Sequence, residues 1–265
     1  MQQNSIKYIV GFSAVVCLAC SLLVSSTAVL LKDRQLANQL YAKQIKILAV
    51  SGLIEEGVKP SQDEVNVLFD TRIESLIIDM QSGKVVTDSG IDDPLTYDQL
   101  KASKNPALSN EADANFAKVK RVPKHIPIYI IQDEEGNADN LVLPVEGMGL
   151  WGTLYGFVSL DKDIETIRGL TFFKHKETPG LGAEVDNPSW KAKWPGRKVY
   201  DDSGEVMIKV IKGPAGTPEE TPYAVDGLAG ATLTSNGVTN LLRFWLGKEG
   251  FGPYLASLNS EGSDA

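Results

Sequence analysis

Asp226-Gly-Leu-Ala-Gly-Ala-Thr-Leu-Thr-Ser235 is the stretch whose reading decides the rest of the chain. Gly230 and Ala231 are small enough for a tight turn, and hydroxyls follow at Thr232, Thr234 and Ser235. Directly after them, Val238, Leu241, Leu242, Trp245 and Leu246 recur at the spacing of one helix face. Thr234 or Ser235 therefore stands where an N-cap belongs, beside unpaired backbone N–H groups and the positive end of a helix dipole. Two uses fit that position: an ordinary hydroxyl cap on an amphipathic helix, or a seat for a phosphate.

Towards the N-terminus, Tyr8–Leu31 is a run of 24 residues without a charged side chain. At about 1.5 Å per residue it spans a hydrocarbon core of about 30 Å. A signal peptide has an apolar region of only about 7–15 residues, so the run reads as a retained single span after a short segment 1–7. Lys7 precedes it and Lys32, Arg34, Lys43 and Lys46 follow, so charge does not set the orientation. Cys17 and Cys20 are the only cysteines and both fall inside the span, where they read as small apolar residues. Leu36, Leu40, Ile47 and Leu48 carry an amphipathic helix onward over 32–59, broken at Lys59-Pro60.

Residues 60–265 read as one α+β domain with a mixed or antiparallel sheet and flanking helices. Ser61 opens a helix with Val65, Leu68, Phe69 and Ile73 on its apolar side. Strands are predicted at Ser75–Met80, Lys84–Thr87, Ile126–Gln132, Leu141–Val145, Thr153–Leu160, Thr171–Lys174, Lys198–Tyr200 and Val206–Lys212. The polar segment 92–120 reads as a surface excursion, 161–170 as a short helix or turn, Asn187-Pro188 as a helix start, and Ser257–Ala265 as a frayed tail. Gly147-Met-Gly-Leu-Trp-Gly152 fits a dinucleotide fingerprint, but β-rich sequence follows instead of a helix, so a glycine-rich turn with an exposed aromatic is the better reading. The net charge of −8 argues against nucleic acid, and the two histidines stand at no metal-ligand spacing.

Lys176-Glu-Thr-Pro-Gly-Leu-Gly182 is the other informative stretch. Pro-Gly is a turn signal, with Gly180 free to take positive φ. Thr178 offers a hydroxyl, Leu181 an apolar contact, and Gly182 lets backbone approach a ligand closely. Read alone, it is a surface loop.

Together these stretches resemble FMN-binding domains. Asp-x-x-x-Gly-Ala-Thr-x-Thr, Asp226 to Thr234, is similar to that family's flavinylation motif, with Ala229 where Ser or Thr is usual; 176–182 is similar to its second signature. Leu-Pro-Val-Glu-Gly-Met-Gly-Leu-Trp-Gly (143–152), and Phe69-x-x-Arg72-Ile73 before a strand ending at Gly83, further resemble the C-subunit family of the Na+-translocating NADH:quinone oxidoreductase. Its shorter sister, the G-subunit family of the Rnf complex, shares the two flavin motifs.

The resemblance implies one FMN per chain, esterified through its phosphate to Thr234 by a separate flavin transferase. Asp226 opens the motif, and Gly230, Ala231, Thr232, Leu233 and Ser235 complete the turn around the acceptor. Trp151, Glu177, Thr178, Gly180, Leu181 and Gly182 would border the flavin. By analogy with cationic neighbours of other cofactors, Lys212 or Lys209 would reach its phosphate or ring, unless both are simply solvated. No nucleophile–base pair stands out in the sequence, so the chemistry would be the flavin's: electrons relayed singly between membrane and flavin or iron–sulfur subunits, with NADH oxidised and sodium moved elsewhere. The implied setting is the bacterial inner membrane, single-pass, N-terminus cytoplasmic, FMN domain periplasmic. An Rnf-type G-subunit and a non-redox membrane-anchored binding or sensing module are the alternatives.

Overall fold

A computed structural model of the chain describes residues 5–91 and 93–262, and side chains as far as Leu258. Asp92, at the head of the polar excursion, and the ends of segment 1–7 and of the tail lie outside the described residues. The chain divides into two units, Met1–Ala42 and Lys43–Ala265.

The first unit is helical throughout its described part. It belongs to α1 (Ile6–Val50), a helix of 45 residues long and apolar enough to cross a membrane. Cys17 and Cys20 are free and exposed on it. There is no separate helix over 32–59: α1 runs on without a break and stops at Val50, before Lys59-Pro60. The stop signal is Ser51-Gly52. Gly52 takes φ +81, its N–H reaches Ala49 O, and the N–H of Leu53 reaches Leu48 O, a Schellman closure that needs a left-handed residue.

The second unit is built on a six-stranded sheet in the order β2-β1-β5-β6-β7-β8. These are β1 (Ile73–Asp79), β2 (Lys84–Val85), β5 (His125–Gln132), β6 (Ala138–Met148), β7 (Thr153–Asp161) and β8 (Ile167–Lys174). Every pairing is antiparallel. The central strands are apolar on both faces because both faces are covered. Leu141, Leu143, Val145, Leu154 and Val158 face the main core, under the helix that follows the Thr234 motif. Tyr129, Val142 and Phe157 face the other way, where Ile47, Leu48 and Val50 from the end of α1 are also buried. Asn140 Nδ2 donates to Ser51 O, and Lys43 Nζ stands 5.7 Å from the Tyr129 ring.

Around the sheet, α2 (Gln62–Arg72) starts with a capping box between Ser61 and Glu64 and buries Val65 and Phe69. Ile73, predicted on that helix, instead begins β1. The excursion contains α3 (Gln99–Lys104) and a small pair of strands, β3 (Ser109–Glu111) and β4 (Arg121–Pro123). Where a helix or turn is predicted over 161–170, a turn gives way to β8 at Ile167. A 3₁₀ turn (Gly182–Asp186) and α4 (Pro188–Lys191) follow, with Asn187 capping and the Trp190 and Trp194 rings 5.3 Å apart. The strands predicted at 198–212 shrink to isolated bridges and β9 (Lys209–Val210), paired in parallel with β10 (Ala224–Val225). Two helices close the chain, α5 (Thr232–Leu246) and α6 (Gly252–Gly262), so the tail is helical as far as Gly262.

Glu146 on β6 lies in a poorly solvated place, and burial pushes its carboxyl from the ordinary 4.5 up to about 7 against a weaker pull from Lys104. The folded chain therefore holds this proton more tightly than the unfolded one. Stability falls as pH rises through the window between those two values and stays lower above it. Glu146→Gln removes the penalty. The variant should exceed the parent in stability by about 2–3 kcal/mol near pH 8 but not near pH 5, read by thermal or urea unfolding.

Candidate functional site

Three segments far apart in sequence meet at the end of β6. The first is the β6–β7 turn, closed by the Gly149 N–H on Gly152 O at 2.8 Å. It leaves Trp151 65% exposed, as the glycine-rich-turn reading expects. The second is the segment after β8. There Thr178-Pro179-Gly180-Leu181 forms a type II turn, with Gly180 at φ +75 and the Leu181 N–H on Thr178 O. The third is the start of α5.

Where α5 begins differs from the sequence reading. The N-cap is Ala231, not Thr234 or Ser235, and among the described residues no side chain caps the helix. The cause is the turn before it: Gly230 takes φ +69 and the Ala231 N–H closes on Leu228 O, so the helix starts early. Ser235 Oγ is used backwards, accepting the Leu228 N–H at 3.1 Å. Thr232, Leu233 and Thr234 thus occupy the first helical positions, where backbone N–H groups have no acceptor within the helix. Thr232 and Leu233 are exposed, while Thr234 is fully buried.

Among the described residues the buried hydroxyl has one hydrogen-bond partner. Thr234 Oγ1 donates to Glu177 Oε2 at 2.5 Å, and Glu177 Oε1 accepts the Trp151 N–H at 2.9 Å. One carboxylate therefore ties all three segments together. Glu177 is itself held from behind: its N–H donates to His175 Nδ1, which leaves His175 Nε2 to carry the hydrogen facing Asp186 Oδ2 at 2.8 Å. Glycine makes the approach possible. A Cβ on Gly149 would stand 2.6 Å from Glu177 Oε1, and one on Gly237 would stand 2.4 Å from Met148 O.

Asp226 lies in the loop leading to this turn, with its carboxylate engaged elsewhere. Its Oδ2 accepts from Lys193 Nζ and its Oδ1 from the Ala215 N–H, while its backbone oxygen accepts from Trp190 Nε1. Burial pushes its pKa up, but the Lys193 hydrogen bond and the Ala215 N–H outweigh that and hold it below the usual carboxylate range. Asp226 is the clamp of the 213–227 loop. Lys212 is exposed and, among the described residues, has no hydrogen bond or ion pair. The geometry thus joins Trp151, Glu177, Gly182 and Thr234 directly; Leu181 Cδ2 would lie 2.9 Å from a Cβ on Gly230. Sequence reasoning missed the Glu177–Thr234 pair, because nothing local links residues 57 apart. It also missed Gly237, whose signal was a glycine inside a helical pattern.

A family model for the FMN-binding domain matches residues 149–247, from the β6–β7 turn to the end of α5. The C-subunit of the Na+-translocating NADH-quinone reductase from Pseudomonas aeruginosa is 50% identical over 247 residues, 92% of each chain. Its counterpart from Yersinia pestis is 42% identical, covering 91% of this chain and 88% of that one. The chain belongs to the C-subunit family of the Na+-translocating NADH-quinone reductase. Solved structures agree. The crystal structure of NqrC from Shewanella oneidensis superposes with TM-score 0.76 at 30% identity, over 84% of this chain and 99% of that chain. The C-subunit from Parabacteroides distasonis gives 0.64 at 27%, over 85% and 96%. The α+β reading and the resemblance to this family both hold.

In this family member Gly182 is the glycine that touches both partners of the pair: a Cβ there would stand 2.5 Å from Glu177 Oε2 and 2.6 Å from Thr234 Oγ1. Gly182→Ala should therefore pry the pair apart and lower stability by about 1–3 kcal/mol. Thermal unfolding of the detergent-solubilised chain checks this; an unchanged melting temperature would contradict the packing described.

Proposed function

We propose that this chain is the FMN-bearing, electron-relaying subunit of a sodium-translocating NADH-quinone reductase, with the flavin joined by a phosphoester to Thr234. The observation that carries the reading is the helix start: a threonine at the third position of an α5 with no side-chain cap, tied through Glu177 to the turn that exposes Trp151.

The residues present fit such a group. The N–H groups of Thr232, Leu233 and Thr234 are the donors a phosphate needs, at the positive end of the helix dipole. Trp151, Leu150, Leu181 and Leu233 are large apolar side chains left exposed, surface suited to a flat ring. Gly180 and Gly182 shape the loop, and Thr178 and Glu177 add polar groups at its edge. Lys212 would supply a cation towards the phosphate or ring. When bound, FMN supplies reversible electron transfer, while the protein contributes position, burial and electrostatics. Attachment through phosphate gives retention, since a tethered cofactor keeps a high effective concentration and is not lost by dissociation.

The family also motivates the proposed setting. α1 would anchor the chain by a single pass in the bacterial inner membrane, N-terminus cytoplasmic and flavin domain periplasmic. Electrons would pass to and from neighbouring flavin, iron–sulfur and membrane subunits, and a flavin transferase would install the FMN.

Mass spectrometry of the peptide spanning 225–243 from native membranes should show FMN mass on Thr234. Thr234→Val should fold, carry no flavin and give complex with sharply reduced activity. An unmodified peptide would leave an anchored α+β domain of the non-redox kind. Protease added to spheroplasts should cleave residues 43–265; full protection would overturn the orientation.

A further inference from the structure

Thr234 presents a hydroxyl that is a weak nucleophile by itself and must lose its proton as any O–P bond forms. Among the described residues one side chain is hydrogen-bonded to that hydroxyl, the buried carboxylate of Glu177, with Oε2 at 2.5 Å. We propose that Glu177 is the base that accepts the Thr234 proton, so that this chain supplies catalysis for its own modification; this rests on the reading of Thr234 as the FMN-bearing residue.

The chemistry defines the donor. FMN is a phosphate monoester and offers no activated bond, so the substrate is a flavin dinucleotide, an anhydride of FMN and AMP. The Thr234 Oγ1–phosphorus bond forms. The anhydride P–O bond breaks with its electron pair leaving on AMP, and the hydroxyl proton passes to Glu177 Oε2. Nothing is oxidised or reduced.

The surroundings suit a base and not merely a packed carboxylate. The Trp151 N–H occupies Oε1 and the backbone N–H of Glu177 is fixed on His175, which leaves Oε2 aimed at the hydroxyl. Gly149 and Gly182, which carry no Cβ, let backbone come close to both oxygens of the carboxylate. Among the described residues no lysine or arginine pairs with it. The turn 148–153 and the first turn of α5 contain no titratable side chain. The 3₁₀ turn carries Glu184, bonded to Asn187, and Asp186, bonded to His175; His175 and Lys176 precede Glu177 in sequence.

The test uses the full chain in detergent, purified flavin transferase and flavin adenine dinucleotide, following flavin incorporation and AMP release in a single turnover. Glu177→Gln, of the same shape, should melt near the parent temperature yet react at least about 100-fold more slowly. Glu177→Asp, which keeps a carboxylate, should recover part of the rate. Parent-like rates in Glu177→Gln would overturn the proposal. Should that variant fail to fold, a folded Glu177→Asp that takes no flavin would overturn it equally, and partial reaction would support it. A parent chain that takes no flavin at all refutes instead the Thr234 reading.

Discussion

The hydrogen bond from Thr234 to Glu177 is the constraint on which the site depends. A bond to a charged acceptor contributes about 1.5–3 kcal/mol net, and a buried carboxylate stripped of its partners costs more than that. Glu177 keeps its place by accepting from Trp151 N–H on one oxygen and Thr234 on the other. Turn, loop and helix are therefore not independently adjustable. The glycines at 149, 182 and 237 follow from this, because each faces atoms where a Cβ would not fit. Their absence of side chains is a packing requirement set by neighbours distant in sequence, not by the local turn.

Behind this contact stands a second, purely structural set of polar bonds. Arg197 is buried and donates to the backbone oxygens of Lys193, Gly216, Thr217 and Thr221. A guanidinium with five donors in a fixed fork suits that task, since carbonyl oxygens satisfy it without a carboxylate being buried alongside. It gathers the 213–221 loop, and Asp226 fastens the far end of that loop to Lys193 and Ala215. The residues that deliver α5 to the sheet are thus remote from the hydroxyl they position.

Much of this was legible in the sequence where the signal is local. The span, the helix start at Ser61, the strands β5 to β7 and the apolar stripe of α5 each follow from periodicity and propensity. Pro179-Gly180 declared its turn type, and the absence of a helix after Gly152 disposed of a dinucleotide fingerprint. What failed was where tertiary contacts decide. Ser51-Gly52 ends α1 before the more conspicuous Lys59-Pro60. The strands expected at Lys198–Tyr200 and Val206–Lys212 shrank to bridges and β9, although Val199 and Ile208 are fully buried. Asp226 could be read as part of a motif but not as a clamp, since Lys193 lies 33 positions away.

The start of α5 makes the last point. A stretch with hydroxyls at 232, 234 and 235 has every means to cap its helix, and an alanine in the N-cap place forgoes about 1 kcal/mol relative to serine or threonine. The chain does so by closing the turn at Gly230 and spending Ser235 on the Leu228 N–H. That arrangement leaves the amides of Thr232, Leu233 and Thr234 uncommitted. A helix evolved only for stability would have filled that position with its own side chain. On the proposed reading the vacancy has a purpose: a serine or threonine cap would compete with the phosphate for the same donors, and the Thr234 hydroxyl, instead of capping, is placed against the Glu177 carboxylate.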